Sequence, residues 1–285
     1  MEEQIQTSPE WGADFFGTLN QMPPEPIGLL IHVLEAMGSE PAFRAARREM
    51  LRALELTPGA RILEAGCGTG VALPDLVEIA GPSVRVYGVD PTEAFLEAAR
   101  QRAQGLGVAH AEYRPGDIRG IPYPDHFFDA AFCEKVLLHV GPAGVALTEL
   151  ARVVRPGGRI GALEWQPHFA LSCTRPELEA RWNGLLRHAV YNYLAAPSLA
   201  YYFKKAGLQD VRTRVYVAEG ERLETPPFWR AFLVDQLPLF VGAGVLPMEE
   251  AEALAAELQA LDAEGCFRAS LMIWTAVGRK PDARS

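Results

Sequence analysis

Residues 62–70 read ILEAGCGTG: a short apolar run, an acid at Glu64, and glycines at Gly66, Gly68 and Gly70. Glycines spaced this way let a backbone turn approach a ligand closely. A helix that begins just after such a turn offers its unpaired N–H groups to an anionic ligand. Asp90 stands twenty residues beyond Gly70, at the end of a second apolar run, VRVYGVD. A carboxylate there can accept hydrogen bonds from two ribose hydroxyls. The pair fits a cofactor built on adenosine and leaves its identity open.

Two details narrow the choice. The dinucleotide fingerprint is G-x-G-x-x-G, with the pyrophosphate seated on the helix. Here the spacing is G-x-G-x-G, and Glu64 stands two positions before the first glycine. A carboxylate at that point repels a pyrophosphate and suits a ligand with an ammonium group, as in S-adenosylmethionine. The plainer readings are an end-of-strand acid capping the loop and glycines that only make a tight turn.

Candidates for proton transfer follow the later apolar runs. His139, in EKVLLHV, leads, because it follows a strand whose end should face the reacting atoms. His168, just after the run RIGALEW, is second. Holding the loop or touching the cofactor is the alternative for His139. His188 and Asn192 are one helical turn apart and read as a solvated or internally satisfied pair. Glu134 and Glu164 could also move protons, and Glu134 reads equally as a solvated acid.

The elements that must position these residues alternate regularly. Helical periodicity in residues 29–54 ends at the turn LTPGA. Strands are expected at 61–66, 84–90, 111–114, 128–133 and 159–165. Helices are expected at 71–81, 91–103 and 144–154, with a turn RPGG at 155–158. Helix 198–207 and strand 210–219 resume the pattern after a break, and a last strand spans 267–280. Repeated strand–helix pairs predict a parallel sheet covered by helices on both faces.

The chain has 285 residues, 49% of them apolar, and 27 basic against 36 acidic residues give a net charge of −9. That balance argues against a nucleic-acid partner, which needs concentrated positive charge. No apolar run reaches the roughly 18 residues a membrane span needs, and the acidic start MEEQIQTSPEW lacks a secretory h-region. Cys67, Cys133, Cys173 and Cys266 form neither a disulfide framework nor zinc-type pairs. A cytoplasmic protein without a metal site, monomeric or homodimeric, is the expectation.

The motifs ILEAGCGTG, VYGVDPT, RPGDIRGIPYPDHFFDAAFCEKVLLHV and ELARVVRPGGRIGALEW occur in that order. Together they resemble the class I S-adenosylmethionine-dependent methyltransferases, in the broad group of ubiquinone/menaquinone-biosynthesis and natural-product enzymes. The resemblance covers residues 56–165 best. It implies an α/β, Rossmann-like, seven-stranded, mostly parallel sheet with an antiparallel last strand. The N-terminal segment resembles the family's cover, giving a helical cover (1–55) and a methyltransferase domain (56–285), while the breaks in the strand–helix pattern predict helical lid insertions at about 166–197 and 222–265. Carried onto this sequence, Glu64 and the backbone of Gly66, Cys67, Gly68 and Gly70 would hold the methionine part, and Asp90 the ribose. Pro91 and Thr92 would lie along the adenosine, Asp117 would accept from the adenine amino group, and Ile118 would cover the ring. Backbone around Cys133 would meet the amino-acid end. Arg44, Arg47 or Arg48 would reach the cofactor carboxylate, or else form an exposed helix face.

Aromatic residues carry the substrate reading. Trp11, Phe15 and Phe16 fall in the segment that resembles the family's flexible cover. Trp165, Trp182, Tyr191, Tyr193, Tyr201 and Tyr202 surround the first insertion, and Phe228, Trp229, Phe232 and Phe240 the second. They predict an enclosed apolar pocket for a small methyl acceptor, with Trp11, Phe16, Trp165 and Tyr191 as substrate contacts. Oxygen is the favoured acceptor atom, with nitrogen and carbon as alternatives. A protein of the same fold that binds the cofactor without methyl transfer, and a nicotinamide-dependent oxidoreductase, are the competing readings.

Overall fold

The structure is a computed structural model and describes residues 19–282. Trp11, Phe15 and Phe16 therefore lie outside the described residues. Helix α1 (Pro24–Ser39) and helix α2 (Pro41–Ala53) each begin with proline in the first turn, where no N–H partner is needed. Between them the Glu40 side chain accepts from the Phe43 amide at 2.9 Å, capping α2. Phe43, Ala46, Met50, Leu51 and Leu54 join the same core as the sheet.

Five strands then alternate with helices: β1 (Arg61–Ala65), α3 (Leu73–Ala80), β2 (Arg85–Asp90), α4 (Glu93–Gly105), β3 (Ala111–Pro115), β4 (Phe128–Glu134), α5 (Ala143–Val153) and β5 (Val154–Trp165). Strands β1 and β4 are buried almost throughout, as strands covered on both faces must be. The two-residue β6 (Ala170–Leu171), α6 (Pro176–Ala189), α7 (Leu199–Lys205) and β7 (Gln209–Gly220) follow. After them come α8 (Phe228–Arg230), a π-helical stretch Ala231–Asp235, α9 (Leu237–Gly242), α10 (Met248–Ala263) and β8 (Ala269–Arg279).

The strands form one sheet in the order β3-β2-β1-β4-β5-β8-β6, with β7 paired to β8. Strands β1 to β5 are parallel, and β8 runs antiparallel between β5 and β7. The expected sheet with its antiparallel last strand is present, and β6 adds a short eighth strand at the start of β8. One boundary differs from expectation. Strand β5 begins at Val154 and runs through the RPGG turn, with a register shift against β4 between Phe128 and Ala130. Gly157 takes φ +75° there, and a Cβ on Gly158 would lie 2.5 Å from the Asp129 carbonyl, so glycine permits the bulge.

The strand order reverses at β1, whose neighbours are β2 and β4. In an open α/β sheet that reversal leaves a crevice at the carboxyl ends of the strands.

Candidate functional site

The crevice holds a cavity with about 1590 Å³ of empty space, counting its mouth. Its floor comes from strand ends and the loops after them: Glu64 of β1, Asp90 of β2, Glu134 of β4 and Trp165 of β5, with Gly116 and Asp117 after β3. Gly66, Gly68 and Gly70 all have positive φ, of +74°, +50° and +72°. A Cβ on Gly66 would lie 2.3 Å from Val136 Cγ2, so only glycine lets the loop pass. Gly70 does not face the cavity. A Cβ there would meet Ala99 Cβ at 3.1 Å, so this glycine serves the packing of α4.

Asp90 is tied to that loop. Its Oδ2 accepts from the Gly68 amide and its Oδ1 from the Thr92 amide, each at 2.9 Å. Burial raises its pKa to about 6 against these two amide bonds and a third hydrogen bond from the Thr92 side chain. With these three protein donors the carboxylate retains acceptor capacity for a further one. Thr92 is buried and shapes this turn without lining the cavity, whereas Pro91 lines it.

Glu64 is 2% exposed, and its Oε2 has no hydrogen-bond partner. Burial, then the nearby Glu134 charge, raises its pKa to about 8, against the opposing pull of Arg47 and Lys135. An orphaned buried carboxyl oxygen in a cavity wall fits a ligand that brings a cationic donor. Beside it, burial pushes Glu134 up, but Arg47 and Lys135 overcome that push and hold it below its ordinary value.

Within the arginine cluster Arg44 is exposed, as a helix face would be, whereas Arg47 differs from both sequence readings. Arg47 is 1% exposed and donates to Asp75 at 3.0 Å, to Glu134 at 3.2 Å and to the Gly38 carbonyl at 2.9 Å. Arg44 and Arg48 converge on the same Asp75. Arg47 is thus neither an exposed face nor part of the cavity lining, because α2 packs inward and buries it. Among the described residues two cations do line the cavity: Arg119, paired with Asp117, and Lys135, an ion-pair partner of Glu134 whose Nζ lies 5.3 Å from the Phe43 ring centroid. The sequence pointed to Lys135 only by its place directly after β4.

Asp117 and Ile118 also line the cavity. Asp117 accepts from the Arg119 amide at 2.7 Å and also pairs with the Arg119 guanidinium, which holds its pKa below the usual range. Cys67 lines the cavity, and burial keeps its thiol protonated. Cys133 is fully buried in β4 and does not line it; its neighbours Glu134 and Lys135 take that place.

Most of the remaining cavity lining is apolar. Helix α1 presents Leu30, Val33, Leu34 and Met37 at helical spacing, α6 presents Leu186 and Ala189, and the second insertion presents Phe232, Leu239 and Phe240. Trp165 packs edge-on against Phe232 at 5.2 Å. Trp182, Phe228 and Trp229 are core between the insertions. His139 lines the cavity, and burial lowers its pKa to about 3, so its imidazole is neutral at working pH.

Two candidates lie elsewhere. His168 is exposed and outside the cavity, because the chain turns away after Trp165 toward β6. Tyr191 is 42% exposed and lies across Gly141, whose Cβ would meet its ring at 1.9 Å. Glu164 is fully buried and holds the loop before His139: its Oε1 accepts from the Val136 and Leu137 amides at 3.0 and 2.7 Å. Sequence reading also missed Gln236, which lines the apolar half. Among the described residues no cluster of three or more His, Cys, Asp or Glu side chains could hold a metal ion, and no helix is long and apolar enough to cross a membrane.

The N-terminal elements clasp this site. Asn20 donates to the Pro91 carbonyl at 2.7 Å and accepts from the Glu93 amide at 2.9 Å. Glu35 of α1 accepts from the hydroxyl of Thr69, inside the glycine loop, and from Arg102.

A sheet of this order, with a glycine loop after β1 and an acid ending β2, defines a Rossmann-like fold built to bind an adenosine-containing cofactor. Residues 63–162 match the family described as methyltransferase domain. A demethylmenaquinone methyltransferase from Bacillus cytotoxicus is 26% identical over 203 residues, 65% of this chain and 84% of that protein. An uncharacterized 37.1 kDa protein of transposon TN4556 from Streptomyces fradiae is 36% identical over 151 residues, but this chain spans only 42% of its length. Phosphoethanolamine N-methyltransferase 2 from Haemonchus contortus, solved with phosphomonomethylethanolamine and S-adenosylhomocysteine, shares the fold. Its TM-score is 0.60 at 16% identity, over 94% of this chain and 60% of that one. The matched domain and the methyltransferase relatives support a class I S-adenosylmethionine-dependent methyltransferase, with S-adenosylmethionine as cofactor.

Proposed function

We propose that this chain methylates a small, largely apolar or aromatic molecule, with oxygen the favoured acceptor atom. The observation that carries the reading is a single cavity with two unlike halves. One half is lined by Glu64, the glycine loop, Asp90 and Asp117, and the other by Trp165, Phe232 and Phe240. The name of the demethylmenaquinone relative supports an aromatic acceptor of quinone type.

In this reading Glu64 takes the cofactor's ammonium group and Lys135 its carboxylate. Asp90 takes the ribose hydroxyls, and Asp117 and Ile118 flank the adenine. Bound there, S-adenosylmethionine would supply an activated sulfonium methyl group, open to in-line attack at its carbon by the acceptor oxygen, with S-adenosylhomocysteine leaving as the carbon–sulfur bond breaks and the acceptor's proton released to solvent. The protein's own work is then alignment and exclusion of water, which can lower a barrier by about 7–11 kcal/mol. Helix α1 and the second insertion close the apolar half. The Trp165 ring also lines it and is suited to a neighbouring positive charge. With its pKa of about 3, His139 is a weak base, so we assign it to orienting the acceptor through a neutral hydrogen bond.

Calorimetry with S-adenosylhomocysteine and with NAD, followed by transfer of labelled methyl to a panel of phenols, quinols and aromatic amines, tests the reading. Binding of the first ligand alone, with label in an aromatic product, is expected. Tight binding of the cofactor with no transfer across the whole panel would instead favour a protein of this fold with another reaction.

A further inference from the structure

Gln236 follows the π-helical stretch Ala231–Asp235, and its amide donates to the Ala231 carbonyl at 3.2 Å, five residues back. In a regular α-helix that amide would go to Phe232, four residues back. The widened turn leaves the Phe232 carbonyl to the Gln236 side chain, whose Nε2 donates to it. A carbonyl only accepts, so the side-chain amide must turn its NH2 toward Phe232 and its oxygen away. Gln236 stands in the cavity wall with Trp165, Leu239 and Phe240, and its Oε1, which is not fully buried and meets no donor among the described residues, stays open to the cavity. The turn is anchored from both sides: Asp235 meets His32 of α1 and Arg230 of α8, each at 3.1 Å. An anchored π turn that presents one unpaired acceptor inside an apolar chamber is a built recognition feature.

We propose that Gln236 determines acceptor specificity: its side-chain oxygen accepts the O–H of a hydroxyl carried by a flat apolar molecule. This rests on the methyltransferase reading above and names its substrate class. An ether in the hydroxyl's place offers no hydrogen and leaves Oε1 buried and unpaired, so the site discriminates against it.

The test titrates protein loaded with S-adenosylhomocysteine with matched pairs, naphthol against methoxynaphthalene and hydroxycoumarin against methoxycoumarin. In the wild type the hydroxyl member should bind about 3- to 10-fold more tightly. In Gln236→Met the two members should bind alike, and Gln236→Leu gives a second reading of the same loss. Gln236→Glu in its protonated form donates its O–H to the Phe232 carbonyl and keeps an acceptor oxygen, so at low pH it should keep the preference. All three variants should bind S-adenosylhomocysteine as the wild type does, which shows that the cofactor half is intact. Wild-type protein that shows no hydroxyl preference in either pair, including no binding at all, overturns the proposal, as does a preference that survives in Gln236→Met. Failure of the underlying reading shows separately, as wild-type protein that does not bind S-adenosylhomocysteine.

Discussion

The Gly68 amide donates to Asp90 Oδ2 at 2.9 Å, so the loop after β1 and the end of β2 are joined through one carboxylate. Asp90→Ala removes the proposed ribose acceptor and also frees the Gly68 and Thr92 amides. Hydrogen bonds to a charged group contribute about 1.5–3 kcal/mol each, so affinity for S-adenosylhomocysteine should fall roughly 10- to 100-fold or more. Calorimetry checks this, and an unchanged affinity would refute the ribose assignment.

Cofactor affinity should rise with pH in two steps. Asp90 ionises at about pH 6 and Glu64 at about pH 8 in the empty site, and each carboxylate favours the ligand only once charged. Glu64→Gln should abolish the upper step and leave the lower one. Dissociation constants measured between pH 5 and 9 would show it; an upper step that persists in the variant would assign that step to another group.

Glu164 predicts a pH dependence of stability with the opposite sense. Burial, opposed by the Leu137 and Val136 amide bonds, raises its folded-state pKa to about 8, above the ordinary 4.5. Between those values the folded chain holds a proton that the unfolded chain has released. Stability from this group is therefore full below about pH 4.5 and is lost as pH rises through about 8. Over that window the slope is about 1.4 kcal/mol per pH unit for each such group. Glu64 adds to it in the ligand-free protein. Glu164→Gln mimics the neutral form, and its melting temperature should fall less than that of the wild type between pH 5 and 8.5.

The contact between Gly66 and Val136 can be dissected by a double-mutant cycle. Gly66→Ala places a Cβ 2.3 Å from Val136 Cγ2 and also puts alanine at φ +74°. Val136→Ala removes the clash but not the backbone strain, which costs roughly 1–2 kcal/mol. The double variant should recover part of the stability lost by Gly66→Ala in urea denaturation. Full recovery would mean that the backbone conformation contributes nothing.

For His139→Ala, methyl transfer should fall while affinity for S-adenosylhomocysteine holds. Because the imidazole is neutral above about pH 3, the pH–rate profile between pH 6 and 9 should keep its shape in the variant. If affinity falls together with transfer, His139 belongs to the cofactor half of the cavity.

Much of the cofactor half was legible because its parts are local. A turn that needs positive φ at Gly66, Gly68 and Gly70 admits little except glycine, and Asp90 ends a strand whose apolar pattern is visible in seven residues. The acceptor half was not legible in the same way. Trp165 lines the cavity while Trp182 and Trp229 are core, and nothing in their local sequence separates them, because the choice depends on how two insertions distant in sequence meet. His168 and Tyr191 misled for the same reason: proximity to a strand end does not set the direction in which the chain leaves it.

By itself the sequence determined the strand–helix alternation, the glycine loop, the acids at Glu64 and Asp90, and the methyltransferase class. These follow from backbone conformation and from charge at fixed spacing along one chain segment. Only the tertiary structure decided that Arg47 is buried between Asp75 and Glu134, that Lys135 faces the cavity, and that a π turn brings Gln236 to its wall. Those placements come from elements packed across the sheet. The burial and partners of a side chain there depend on neighbours that are remote in sequence.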